Sequence, residues 1–188
     1  MDIAQAVDHY LEREFPGATT SIYRDLSLNL KKLLEDGALD VPERFMNLLA
    51  VAVSLHDREM AALAQTVLKE HGVEEALIRE AAEVAGLMGM NNIYYKFRSF
   101  LSPELVTEHY NRAGLRMQSM MKPATGKQNF EMMSLAVSAV NGCPVCVASH
   151  EHAIRNLGVS AEKIHDLARL AAVCKGLNSL KAAQSFLG

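Results

Sequence analysis

At 188 residues, with 49% hydrophobic and 22% charged side chains, the chain has the balance of a folded globular protein and enough length to bury most of its apolar surface. A formal net charge of −3, with no concentration of Lys and Arg, leaves no electrostatic footprint for a phosphate backbone or an anionic bilayer, so neither nucleic acid nor membrane is an expected partner. Apolar runs such as Leu48 to Leu55 and Leu135 to Val140 fall far short of the roughly 20 residues that cross a bilayer.

In chain order, the segment from Met1 to Phe15 carries Asp2, Asp8, Glu12 and Glu14, the opposite of a basic secretion leader, and a cytoplasmic protein is expected. Beyond Pro16-Gly17, apolar residues recur at helical spacing almost everywhere, as in Leu48, Val51, Ala52 and Leu55 or in Ile164, Leu167, Ala168 and Ala171. Breakers at Gly37, Pro42, Gly72, Ser102-Pro103, Gly114, Pro123 to Gly126, Asn141-Gly142 and Gly158 divide this pattern into about ten helices. Ser102 before Pro103 predicts an N-cap and first helical residue, and Thr125 followed by Gln128 predicts a capping box. The fold class is all-α.

The halves echo each other. At a constant offset of 86, Gly72-Val73, Ile78, Ala82, Ala85, Asn92 and Ser99-Phe100-Leu101 are matched by Gly158-Val159, Ile164, Ala168, Ala171, Asn178 and Ser185-Phe186-Leu187. Upstream, Ala52-Val53-Ser54 parallels Ala136-Val137-Ser138 at offset 84, which implies a short indel in the intervening turn. A duplicated helical domain is expected, with residues 1–115 as a degenerate half without active-site residues and 116–188 as the half that carries chemistry, the two forming one compact unit. Offset 86 carries Cys143, Cys146 and His150 onto Asp57, Met60 and Ala64, so the first half is expected to keep the fold and the second the chemistry.

Asn141-Gly142-Cys143-Pro144-Val145-Cys146 reads as a turn, then a cysteine at a helix N-terminus, then proline at a favoured first-turn position. Unpaired amides and the positive end of the helix dipole favour a thiolate there, and cysteines three apart can close a small disulfide ring. His150 follows Cys146 by four and Cys143 by seven, which puts all three on one helical face. Glu131 lies in the preceding helix of a tight hairpin, near the level of His150 to Ile154. A carboxylate there would fix the ring's tautomer, and its burial in an apolar helix pair is expected to raise its own pKa.

Three readings compete for the Cys-x-x-Cys pair: redox chemistry, zinc and inert packing. A turn position for Cys143, where solvent access is expected, favours redox over packing. Zinc could draw four ligands from Cys143, Cys146, His150 and Glu131, but structural zinc sites unite distant segments, and three of these crowd one helical face. Three cysteines cannot supply a four-cysteine iron–sulfur site within one chain. Cys174, in the apolar run Leu170 to Cys174, reads as core filling, His152 as a solvated surface residue, and Met132 and Met133 as core or as an adaptable pocket wall.

From Glu131 to His150 the pattern Glu-x4-Ala-Val-Ser-Ala-Val-x-Gly-Cys-x-x-Cys-x3-His resembles the alkyl hydroperoxide reductase D family within the carboxymuconolactone decarboxylase-like superfamily. The likeness extends to Met90 to Phe97 and to the duplicated helical plan, with the first segment bearing on chemistry and the second mainly on family. The resemblance implies an active-site helical hairpin in the C-terminal half of an antioxidant thiol peroxidase that assembles as a homotrimer. It implies no tightly bound cofactor, dihydrolipoamide as electron-donating co-substrate, and, as partners, a peroxiredoxin, a lipoyl-bearing acyltransferase subunit of a 2-oxoacid dehydrogenase and its dihydrolipoamide dehydrogenase. Carried over, Cys146 is the peroxidatic thiolate, Cys143 the resolving thiol, and Glu131 and His150 the proton relay. Where this family often has a second histidine between the cysteines, the chain has Val145, which leaves room for a second reading: a dithiol electron-transfer adaptor without peroxidase activity.

Overall fold

A computed structural model describes residues 2–187, apart from the side chain of Leu187. Met1 at the head of the acidic segment, and the side chain of Leu187 in the last repeat match, lie outside the described residues. Among those described, the chain forms nine α-helices and one 3-10 turn, with no strand: α1 (Ile3–Glu14), α2 (Ser21–Glu35), α3 (Val41–Ser54), α4 (Arg58–Glu70), α5 (Glu75–Ser99), α6 (Pro103–His109), the turn Gln118–Met120, α7 (Lys127–Val140), α8 (Pro144–Asn156) and α9 (Ala161–Leu187). Among the described residues no helix is long and apolar enough to cross a membrane.

The helix bounds repeat. Residues 41 and 54 of α3 stand against 127 and 140 of α7, and 58 and 70 of α4 against 144 and 156 of α8, so an offset of 86 holds throughout both hairpins. The expected indel is therefore absent, and the match of Ala52-Val53-Ser54 with Ala136-Val137-Ser138 is a coincidence between two apolar helices. The turns confirm the register: His56 and Gly142 both take left-handed backbone, at φ 57° and 63°. Glycine reaches that region without the Cβ clash that an L side chain incurs. Both turns also bond alike, Asp57 N–H donating to Ala52 O and Cys143 N–H to Ser138 O.

Helices α3 and α7 pack on each other at the centre, and each is buried on nearly every side, from Glu43 to Ala52 and from Phe130 to Ser138. That fits their largely apolar sequences, since a helix enclosed by neighbours needs no polar face. One core cluster draws on both halves, from Phe45, Leu49 and Met60 to Phe130, Ala136 and Leu177. A second, smaller cluster of Leu39, Met132, Leu135, Ile154, Val159 and Leu167 sits under the second hairpin. Met132 and Met133 are thus core residues, and Cys174 is fully buried.

The local expectations divide. Ser102 caps α6 by accepting from Leu105 N–H, with Pro103 opening the helix. The Thr125–Gln128 capping box does not form, because α7 starts one residue later, after Gly126 at φ 80°. The amides of Ala124 and Thr125 instead donate to the Glu80 carboxylate of α5, and Gln128 reaches Glu43. Burial raises the Glu80 carboxyl, but these donors outweigh it and hold it below its ordinary range.

Where the second hairpin has Cys143, the first has Asp57, whose carboxylate accepts from Met60 N–H, Tyr10 O–H and Lys181 Nζ. Burial first, and Asp57 second, push the Tyr10 hydroxyl far above its ordinary value. An ion-paired cluster occupies the place of the sulfur pair.

Candidate active site

Cys143 is the N-cap of α8 and Pro144 its first residue, which leaves Cys146 in the first turn, among amides with no helical acceptor. The two sulfurs are joined in a disulfide, with their Cα atoms 5.3 Å apart. The expected solvent access of Cys143 is not found: it is fully buried, whereas Cys146 is 6% exposed. The reason lies in what covers the turn. Asn92 of α5 donates to Ser138 Oγ at 2.8 Å and accepts from Asn141 Nδ2 at 2.9 Å, and Ser54 of α3 donates to Asn141 Oδ1.

The repeat explains Asn92. Its counterpart Asn178 on α9 donates to Leu55 O in the first hairpin's turn, so the long third helix of each half clamps the hairpin turn of the other. The first half therefore helps to hold the turn that carries Cys143. Asn91, Asn92 and Tyr95 of α5 line the cleft onto which Cys146 and His150 open, a space of about 480 Å³ that Met117, Met120 and Met121 also line. Asn91 Nδ2 donates to Met120 Sδ. The segment Met90 to Phe97, read mainly as a mark of family, builds one wall of the site.

Glu131 and His150 meet as the hairpin geometry requires. Glu131 Oε2 lies 2.6 Å from His150 Nδ1, and both residues are buried. A carboxylate can only accept, so a ring proton sits on Nδ1 and is donated to Glu131. The expected rise in the Glu131 pKa is reversed. Burial does push it up, but donation from His150 and from Lys127 outweighs this, and the net direction is downward from the ordinary carboxylate range. Lys127 Nζ stands 2.6 Å from Glu131 Oε1, one turn earlier on α7, and also donates to Met120 O. Sequence reasoning passed over Lys127, although the i,i+4 spacing of Lys127 and Glu131 was the available signal.

Elsewhere, His152 is exposed and pairs with Asn156, and Val145, 44% exposed, stands at the cleft wall. Among the described residues no group of three or more His, Cys, Asp and Glu is disposed to hold a metal ion. The donors considered for zinc are taken up by each other, sulfur with sulfur and Glu131 with His150 and Lys127.

The fold and site together define an all-helical protein with a disulfide-bonded Cys-x-x-Cys at a helix N-terminus, flanked by a carboxylate–imidazole pair. The family model described as Carboxymuconolactone decarboxylase family matches residues 110–187. The chain is 41% identical over 151 residues to the alkyl hydroperoxide reductase AhpD of Anaeromyxobacter dehalogenans strain 2CP-C, covering 80% of this chain and 79% of that one. It is 39% identical over 171 residues to the AhpD of Mycobacterium ulcerans strain Agy99, covering 86% and 89%. With the AhpD of Mycobacterium tuberculosis strain H37Ra the identity is 35% over 156 residues, covering 82% and 85%. The chain belongs to the AhpD family.

Proposed function

We propose that the protein reduces organic hydroperoxides to alcohols by a dithiol–disulfide cycle, with Cys146 as the attacking thiolate and Cys143 as the resolving thiol. The carrying observation is the asymmetry of the pair: Cys146 opens onto the cleft beside His150, and Cys143 is sealed beneath it. A substrate can reach one sulfur, and the other is already within bonding distance.

The cycle balances in three steps. His150 Nε2 takes the Cys146 proton, the thiolate attacks the outer peroxide oxygen, and the proton passes to the departing alkoxide, which yields an alcohol and a sulfenic acid at Cys146. Cys143 then attacks that sulfur, releasing water and forming the disulfide. A dithiol donor reopens it by exchange, and for this donor we take dihydrolipoamide on a lipoyl carrier protein. Glu131 holds the ring by Nδ1 and steadies the positive charge it gains.

The same reading assigns a cytoplasmic homotrimer that needs no tightly bound cofactor, passes electrons to a peroxiredoxin, and is recharged by a lipoyl-bearing acyltransferase and its dihydrolipoamide dehydrogenase. The names of the relatives support a peroxide-reducing role. Exposed Val145, where the family often has histidine, favours a second reading in which the pair only shuttles electrons between proteins.

Both are tested by following cumene hydroperoxide consumption with dihydrolipoamide, with lipoyl domain, or with neither. Turnover that requires a dithiol donor is expected. Disulfide exchange with the lipoyl domain and no peroxide loss would leave the shuttle, and neither activity would reject both.

A further inference from the structure

We propose that Lys127 is the positioning residue that sets the charge of the relay: from one helical turn away it holds Glu131 as the anionic acceptor of His150 Nδ1–H, which leaves Nε2 open to the Cys146 proton. This rests on the dithiol reading given above and extends it by one residue.

The geometry is specific. Glu131 offers two carboxylate oxygens, and each has a different partner at 2.6 Å: Oε2 the imidazole and Oε1 the ammonium. A buried carboxyl with the ring alone would tend to take a proton, and a protonated carboxyl could turn its O–H toward the ring and release Nδ1. The ammonium removes that alternative. Lys127 is itself fixed at both ends, by its place in the first turn of α7 and by donation to the O of Met120, a residue that also lines the cleft. Its side chain is 47% exposed, so it also joins a buried carboxylate–imidazole pair to solvent.

Among the described residues no other charged group bears on the Glu131 carboxylate. From α5 the cleft receives Tyr95, while Lys96 is directed to Asn141 O. From α3 and α9, Glu43 and Lys163 bond to each other. Within α8, Glu151 pairs with Arg155. The electrostatic partners of Glu131 are His150 and Lys127.

The test follows thiolate formation at Cys146 by ultraviolet absorbance against pH, in full-length protein carrying Cys143→Ser so that one active-site thiol titrates. The buried Cys174 thiol is pushed far up and stays silent. Removing the positive charge by Lys127→Met is expected to move thiolate formation up by about one pH unit, roughly tenfold less thiolate at pH values below the transition. Lys127→Arg, which keeps the charge, is expected to restore it. A Lys127→Met titration coincident with that of the lysine parent would overturn the proposal, as would a Lys127→Arg titration displaced like that of Lys127→Met. Because Lys127 is half exposed, its truncation opens no core cavity, and Lys127→Gln serves as a second neutral variant should the first fail to fold. The titration uses no peroxide, so an absence of peroxide turnover beside a shifted titration would reject the peroxidase reading and leave the role of Lys127 standing.

Discussion

Cys146→Ser is expected to lower hydroperoxide turnover by at least about a thousandfold, because it removes the nucleophile that faces the cleft and a hydroxyl has no comparable anion to offer near neutral pH. Cys143→Ser is expected to fail differently. The Cys146 thiolate remains, so one equivalent of hydroperoxide is consumed in a burst, but the sulfenic acid has no neighbour to condense with and catalysis stalls. The distinction follows from burial: a fully buried Cys143 cannot meet a substrate that enters through the cleft. Burst kinetics with each reduced variant, read beside a dimedone label for sulfenic acid, check this. A label on Cys143 in the Cys146→Ser protein would reverse the assignment.

The second large effect belongs to the carboxylate–imidazole pair. His150→Gln is expected to lower the rate of the first step by about a hundredfold to a thousandfold, the usual contribution of a positioned acid–base group. Glu131→Gln keeps the shape but removes the charge, and its amide can present N–H instead of oxygen to the ring. It should cost about tenfold to a hundredfold, less than loss of the ring itself. The two losses should not add, since each variant breaks the same bond between Glu131 and His150. Stopped-flow rates for both single variants and the double variant measure this, and full additivity would mean that the residues act separately.

What the sequence revealed about the site was local. Cys143, Cys146 and His150 fall on one face because helical periodicity fixes it, and a short turn lets Glu131 be placed by counting residues back through the hairpin. Cys143 is buried and not exposed as expected, since nothing near a turn in sequence says what will lie over it. Here the cover comes from Asn92 and Ser54, whose bonds to the turn span 46 to 87 residues. The pKa direction at Glu131 departs from expectation for a related reason: burial alone points upward, and donation from His150 and from the lysine four residues earlier turns it down. Of the two readings open for Met132 and Met133, core filling holds, and the cleft takes its thioethers from Met117, Met120 and Met121 in the segment before α7.

The fold was legible where its signals repeat. Breakers and apolar spacing marked the helices, and the matched pair Asn92 and Asn178 recorded the duplication through a shared task, each clamping the opposite hairpin. The offset of 84 misled because Ala, Val and Ser recur in any small-residue helix, so three matching letters carry little register information. The backbone settles the register through His56 and Gly142, a pair that sequence similarity does not link.

The central claim is that a peroxide closes the bond between Cys143 and Cys146. It is tested most directly by adding one equivalent of hydroperoxide to the fully reduced protein and measuring the intact mass and the free thiols. The account predicts one equivalent of alcohol, the loss of two thiols, and a peptide cross-link that joins Cys143 to Cys146. Unchanged thiols in the presence of unreacted hydroperoxide would contradict it.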